Sequence, residues 1–331
     1  MTGATGSKRS DICVLVLGGD AERYATALAS AFPAMHFATC TSYDALPDIL
    51  RDRAPEVALT FKIGTDPFPS QALIDSGCVK WIHAGGAGID HLRPWPDAVT
   101  VTNSSGIHGD IMAEYVVASI IAFNHNGRIY EMQQARRHWH KYDSRTIAGQ
   151  TLTIVGYGSI GGHVARLARA VGMRVIGVRS RPEAEQGGGA DELQIVGRDR
   201  LHWALGRGDH LAICLPLTEA TRGLIGAEAL GAAKPGVHLI NVARGGIVDE
   251  TALLAALESG HIAGATLDVF AKEPLPPDSP FWAMENVRIT PHSSSDIEGW
   301  QQRVIDLFRA NLECWCDGAP LRNVVQSERG Y

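Results

Sequence analysis

With 331 residues, 45% of them hydrophobic, 20% charged and 36 of them glycine, the chain has the composition of a globular α/β protein and exceeds the size at which one hydrophobic core stops growing. A formal net charge of −6 with scattered Lys and Arg argues against a nucleic-acid partner and for a small-molecule ligand. No apolar run reaches the roughly 18–20 residues that cross a bilayer, and the polar start carries no secretion signal, so the expectation is a cytoplasmic protein without a membrane partner.

The chain opens with a strand-then-helix rhythm. ICVLVLG (12–18) reads as a strand, AERYATALASAF (21–32) as a helix with Tyr24, Leu28 and Phe32 at helical spacing, and EVALT, VKWIHAGG and AVTVTN as further strands of a small parallel sheet. A long helical segment is expected over 111–140. From Thr151 short apolar runs alternate with helical patterns: TLTIVG, HVARLARAVG, MRVIGVRS, DHLAICLP, GVHLINVA, TALLAALESG, GATLDVF and NVRITPH. Such alternation implies βαβ units and a parallel sheet covered on both faces. A final amphipathic helix carries Val304, Leu307, Phe308 and Leu312 on one stripe. The stretch GGGAD (187–191) reads as a loop.

Six dispersed cysteines fit free thiols in a reducing compartment. Cys314 and Cys316 lack a second ligand pair for a metal, and His138-Trp139-His140 lacks acidic partners nearby, so no metal is expected.

Gly156, Gly158 and Gly161 follow the strand TLTIV directly and open a helix. Gly156 permits the tight turn, Gly158 lets the backbone approach a pyrophosphate, and Gly161 allows close helix-to-strand packing, with the N–H groups of Ser159 and Ile160 aimed at the anion. A ligand-free glycine turn is the alternative. The next strand ends in Arg179, Ser180 and Arg181 where an acidic residue would accept the ribose hydroxyls of NAD. Two guanidinium groups and a hydroxyl suit a 2′-phosphate, so NADP is the expected cofactor; if the arginines are only solvated loop residues, NAD is the alternative.

An ordered series of motifs resembles the D-isomer-specific 2-hydroxyacid dehydrogenase family, glyoxylate/hydroxypyruvate reductases among them. It comprises GAGIDHL (86–92), VTNSSG (101–106) with MAEYVVA (112–118), VGYGSIG, LPLTEATRGLI (215–225), INVARGGIVDE (240–250), LDVFAKEP (267–274) and NVRITPH (286–292), and covers most of the chain. The resemblance implies an α/β fold in which a Rossmann dinucleotide-binding domain, 103–296, is inserted in a flavodoxin-like substrate domain, 1–102 with 297–331. It also implies an active site in the cleft, a homodimer, and the catalytic residues Arg244, Glu273 and His292.

The reaction accounts for those residue types. Reducing a 2-oxo acid needs a hydride, a proton for the ketone oxygen, and a cation for the carboxylate and carbonyl. His292 donates the proton, Glu273 orients its ring, and Arg244 supplies the planar cation. After the strand VKWIH, Gly85 and Gly86 are expected to offer backbone N–H groups to the substrate carboxylate. By family position Asn103, Cys214, Leu215, Pro216, Thr221, Ala243 and Asp268 line the nicotinamide or ribose, Asp268 foremost among them. Two departures stand out: the basic Arg179-Ser180-Arg181, and S-S-S-D after His292.

The expected activity is reduction of small 2-oxo acids of the glyoxylate or hydroxypyruvate type. Formate dehydrogenases, similar in architecture, carry glutamine where Glu273 stands, whereas a phosphite dehydrogenase fits the same three residues. A third reading, the NAD(H)-binding corepressor of the same fold, finds no peptide-docking or regulatory tail here.

Overall fold

The computed structural model describes residues 12–64, 66–92, 94–180 and 193–325. Arg181 and the glycine-rich stretch 187–191 lie outside them. The chain divides into two compact units, Met1–Ile107 with Glu298–Tyr331, and His108–Ile297.

In the first unit five parallel strands, β1 (Cys13–Leu17), β2 (His36–Cys40), β3 (Val57–Thr60), β4 (Trp81–Ala84) and β5 (Thr100–Asn103), take the order β2-β1-β3-β4-β5, a flavodoxin-like arrangement. β1, β3 and β4 are wholly or almost wholly buried, as apolar runs under helices must be. On one face lie α1 (Ala21–Ala31) and the C-terminal helix Trp300–Asp317, whose Phe308 stacks on the buried Trp81 with centroids 5.1 Å apart. The buried stripe of that helix is Val304, Ile305, Phe308 and Leu312. Leu307, expected on it, is only half-buried, because the stripe turns toward Ile305 to meet the sheet.

Phe61, just past β3, is wedged between two glycines. A Cβ on Gly18 would stand 3.0 Å from the Phe61 Cβ, and one on Gly85 would stand 2.5 Å from its ring. Within β4 the fully buried His83, facing Thr102 of β5, has a determined tautomer. Ser104 Oγ donates to the Ala84 carbonyl at 3.0 Å, so it must accept from His83 Nε2 at 3.2 Å; Nδ1 then accepts from Thr102 Oγ1 at 2.7 Å. Burial lowers the pKa of this ring to about 3.

The second unit holds β6 (Thr151–Val155), β7 (Arg174–Arg179), β8 (Gln194–Gly197), β9 (His210–Ile213), β10 (Val237–Asn241), β11 (Ile262–Leu267) and β12 (Val287–Ile289), parallel, in the order β12-β11-β10-β9-β6-β7-β8. Strand order reverses between β6 and β9, the switch point at which a Rossmann sheet opens its ligand crevice. The helix expected over 111–140 is instead two, α4 (Gly109–Asn124) and α5 (Gly127–Ala135), followed by an exposed non-helical stretch. Asn126 adopts φ +57° between them, a left-handed residue that a continuous helix cannot contain. Among the described residues no helix is long and apolar enough to cross a membrane, no group of three His, Cys, Asp or Glu could hold a metal, and no disulfide joins any of the six cysteines.

At the start of β9 and β10, His210 and His238 are 2% and 1% exposed and face each other through Nδ1 at 3.3 Å. His210 Nε2 donates to Gln150 Oε1 at 2.7 Å, which leaves its Nδ1 to accept from His238 Nδ1, while His238 Nε2 accepts from Thr266 at 3.0 Å. A proton added to His210 would set its Nδ1–H against the Nδ1–H of His238. Burial holds His210 down at about 4 from 6.5, so the unfolded chain binds a proton that the folded chain refuses. Stability is therefore fully present above about 6.5 and is lost as pH falls toward about 4. A thermal midpoint that drops across this window, with a shallower drop in His210→Gln, is the expected result; identical slopes would count against the neutral pair.

Candidate active site

The three glycines of the turn after β6 each answer to a different constraint. Gly156 sits at φ +109°, and a Cβ there would press on the main chain of Cys214 and Leu215 at 2.7–2.8 Å. At Gly161 a Cβ would collide with the Gly156 carbonyl oxygen, so the glycine lets α6 (Ser159–Ala170) start against the strand. A Cβ at Gly158 would meet nothing within 4 Å, which leaves the backbone bare in front of the first-turn N–H groups of Ser159 and Ile160, which have no intrahelical acceptors. These residues fit a dinucleotide's pyrophosphate.

Gly156 and Tyr157 donate to the Val178 carbonyl at 3.0 and 2.8 Å, which ties the turn to the end of β7, where Arg179 is half-buried and Ser180 exposed. After β9 comes the loop of Cys214, Leu215 and Pro216. Burial pushes the Cys214 thiol up to about 12, so it stays protonated. The Thr221 hydroxyl donates to the Pro216 carbonyl at 2.7 Å and accepts from the Thr218 N–H at 2.8 Å, so it fastens this loop.

Arg244, Glu273 and His292 follow β10, β11 and β12, three adjacent strands of one sheet. The Asn241 side chain accepts from the Ala243 N–H at 3.1 Å and donates to the Arg244 carbonyl at 3.2 Å, fixing the turn from which Arg244 projects. Buried Ala243 offers its carbonyl to Arg244 Nη1 at 2.8 Å. Gly245 then lies directly on the main chain of Phe270 and Ala271. That contact joins the arginine turn to the turn bearing Glu273, whose Oε1 accepts from the Phe270 N–H at 2.9 Å and whose Oε2 meets His292 Nδ1 at 2.7 Å. His292 is left with Nε2, on a side chain 42% exposed, for a ligand. Its φ of +54° is a conformation His adopts more readily than most residues.

Asp268 is 1% exposed, and both its oxygens have partners within the chain. They accept from Thr290 Oγ1 at 2.5 Å and from the Ser293 and Ser294 N–H groups at 2.9 and 3.0 Å, so the carboxylate folds the loop after His292 around itself. The two serines give this carboxylate its main-chain donors. Thr290 has a single hydroxyl proton, taken by Asp268, so Tyr115 of α4 donates to Thr290 at 2.6 Å. Burial raises the Tyr115 pKa, consistent with its serving as a donor.

In the other unit Gly85 and Gly86 line a cavity of about 460 Å³ with Thr60, Phe61, Lys62 and Trp300. The expectation that Gly85 offers its N–H to a ligand does not hold. That N–H donates to the Thr60 carbonyl at 2.8 Å, because the β3–β4 pairing runs one residue beyond the strands. Gly85 supplies close packing against Phe61, and the Gly86 N–H has no acceptor among the described residues. Asn103 braces the adjoining loop by donating to the Ala87 carbonyl at 2.8 Å.

Sequence reasoning missed three residues that shape the site. Glu250, first residue of α9 (Glu250–Glu258), accepts from the Ala271 N–H at 2.7 Å, beside the bond that Glu273 makes to Phe270. Gly245 was legible in principle, since paired glycines after a strand signal close backbone approach. Tyr115 sits in an apolar helix and carries no local signal.

The family model for the D-isomer specific 2-hydroxyacid dehydrogenase NAD binding domain matches residues 117–294. The glyoxylate reductase of Aeropyrum pernix is 37% identical over 295 residues, 85% of this chain and 86% of that protein. D-3-phosphoglycerate dehydrogenase 2, chloroplastic, of Arabidopsis thaliana is 33% identical over 271 residues, 80% of this chain but only 42% of the plant protein. Among solved structures, the D-isomer specific 2-hydroxyacid dehydrogenase of Xanthobacter autotrophicus in complex with NADPH and MES superposes with a TM-score of 0.81 at 31% identity, over 96% of this chain and 99% of that one. The glycine turn at a Rossmann switch point, the Arg, Glu and His beyond three neighbouring strands and these matches together make the chain a member of the D-isomer specific 2-hydroxyacid dehydrogenase family.

Proposed function

We propose that the chain is an NADP-preferring reductase of small 2-oxo acids, glyoxylate or hydroxypyruvate being the first to try, with 103–296 as the dinucleotide-binding domain and 1–102 with 297–331 as the substrate domain. The observation that carries this reading is the 2.7 Å bond from His292 Nδ1 to Glu273, which leaves Nε2 to deliver a proton. A bound nicotinamide supplies the hydride. Gly156, Gly158, Ser159, Ile160 and Gly161 hold the pyrophosphate; Arg179, Ser180 and Arg181 hold the 2′-phosphate; and the Cys214–Pro216 segment, Thr221, Ala243 and Asp268 flank the nucleotide. The Arg244 guanidinium binds the substrate carboxylate and polarises the carbonyl.

NADPH in the Xanthobacter structure and the activity named for the Aeropyrum relative support cofactor and substrate class. Several large exposed hydrophobics, Ile121, Ile129, Tyr130, Trp139 and Tyr142, fall between 121 and 142, which supports pairing of two copies through that segment, checked by mass in solution. The decisive assay compares initial rates with NADPH and NADH on glyoxylate, hydroxypyruvate, pyruvate and bulkier 2-oxo acids. Oxidation of NADPH with a small acid is expected. No turnover with any of them sinks the enzyme reading, and a preference for NADH sinks the arginine argument.

A further inference from the structure

The ends of β7 and β8 bring two arginines together. Arg179 is paired across the sheet with Gly197, the last residue of β8, so Arg198 leaves the sheet about one strand spacing, ~4.8 Å, from the chain at Arg179. Arg198 is exposed, yet its guanidinium is held in place: Nη2 donates to the Ala220 carbonyl at 2.6 Å, in the loop that follows β9 and that Thr221 fastens. Since β7 and β6 lie between β8 and β9, this bond closes a ring along the carboxyl edge of the sheet. The remaining members of that ring are the ends of β7 and β6, meaning Arg179 and the glycine turn.

An arginine kept only for solubility has no reason to be anchored over a ligand crevice. One hydrogen bond fixes the direction of the fork and leaves its other N–H donors, out of five, for an acceptor with several oxygens. Arginines at two adjacent strand ends suit a dianionic phosphate, which a lone neutral ribose would not require. We propose that Arg198, with Arg179, binds the 2′-phosphate of the adenosine half, and that the Ala220 carbonyl sets its reach. The assignment rests on the NADP reading above.

Isothermal titration of the purified protein with adenosine 2′,5′-bisphosphate and with 5′-AMP, which differ only in the 2′-phosphate, tests it without turnover. The wild type is expected to prefer the bisphosphate. Arg198→Ala should weaken the bisphosphate roughly ten- to a hundredfold and leave 5′-AMP nearly unchanged, with Arg198→Lys recovering part of the loss. Equal weakening of both ligands in Arg198→Ala would show a loop brace and overturn the assignment, as would no weakening of either. If Arg179→Ala abolishes the preference while Arg198→Ala keeps it, the NADP reading stands and Arg198 falls. A wild type without preference overturns both.

Discussion

Replacing His292 by asparagine is expected to lower kcat by about 10²- to 10⁴-fold, the usual share of a positioned general acid, while dinucleotide binding is retained. Asparagine is the informative choice because His292 sits at φ +54°, which Asn also tolerates, so the backbone need not move. Alanine would add a conformational penalty to the chemical one. The glycine turn follows β6, four strand spacings or roughly 19 Å from β12, and none of its contacts involves the imidazole. Unchanged turnover in this variant, with normal cofactor titration, would remove His292 from the reaction.

Gly245→Ala is the second change with a large expected effect. The new Cβ would occupy the main chain of Phe270 and Ala271, and backbone atoms cannot swing aside as a side chain can. Forced displacement in a packed interior costs about 1–3 kcal/mol, sometimes more, and here it moves the turn whose Phe270 N–H and Glu273 carboxylate hold the histidine. A fall in thermal midpoint and a loss of kcat should therefore appear together. Gly246→Ala serves as the control: its nearest neighbours would be the Arg222 and Leu217 side chains at 3.5 Å, an ordinary contact. Wild-type melting and turnover in Gly245→Ala would refute the wedge.

Much of the architecture was legible because its strands are short, continuous apolar runs between helical patterns. β2 was not, since HFATC is an edge strand buried only at Cys40 and shows no such run. α2 (Leu46–Arg53), α3 (Ser70–Asp75), α7 (Leu201–Leu205) and α8 (Ala227–Ala232) are at most eight residues long, too little for a periodic signal. The break at Asn126 was visible as Asn-Gly, a turn dipeptide, but the apolar periodicity before it carried the helix through. In the site, residue types and their order could be read, whereas their connections could not. Tyr115 and Thr290 are 175 positions apart, and Glu250 and Ala271 are 21 apart, so no spacing rule joins them. Gly85 was misread for a related reason: whether its N–H is available depends on how far β3 and β4 stay paired.

The Phe61 wedge restricts the order in which substitutions can accumulate in the first unit. While the ring remains, neither Gly18 nor Gly85 can gain a side chain without displacing it. Once Phe61 is exchanged for a small residue the ring leaves Gly85, whose next neighbour is the Thr60 carbonyl at 3.0 Å, whereas Gly18 stays constrained by the Cβ at position 61 and by its own φ of +159°. Relatives that lack the aromatic ring should then be the ones that differ at Gly85, so those two sites behave as one inherited character rather than two, while Gly18 stays glycine in both groups.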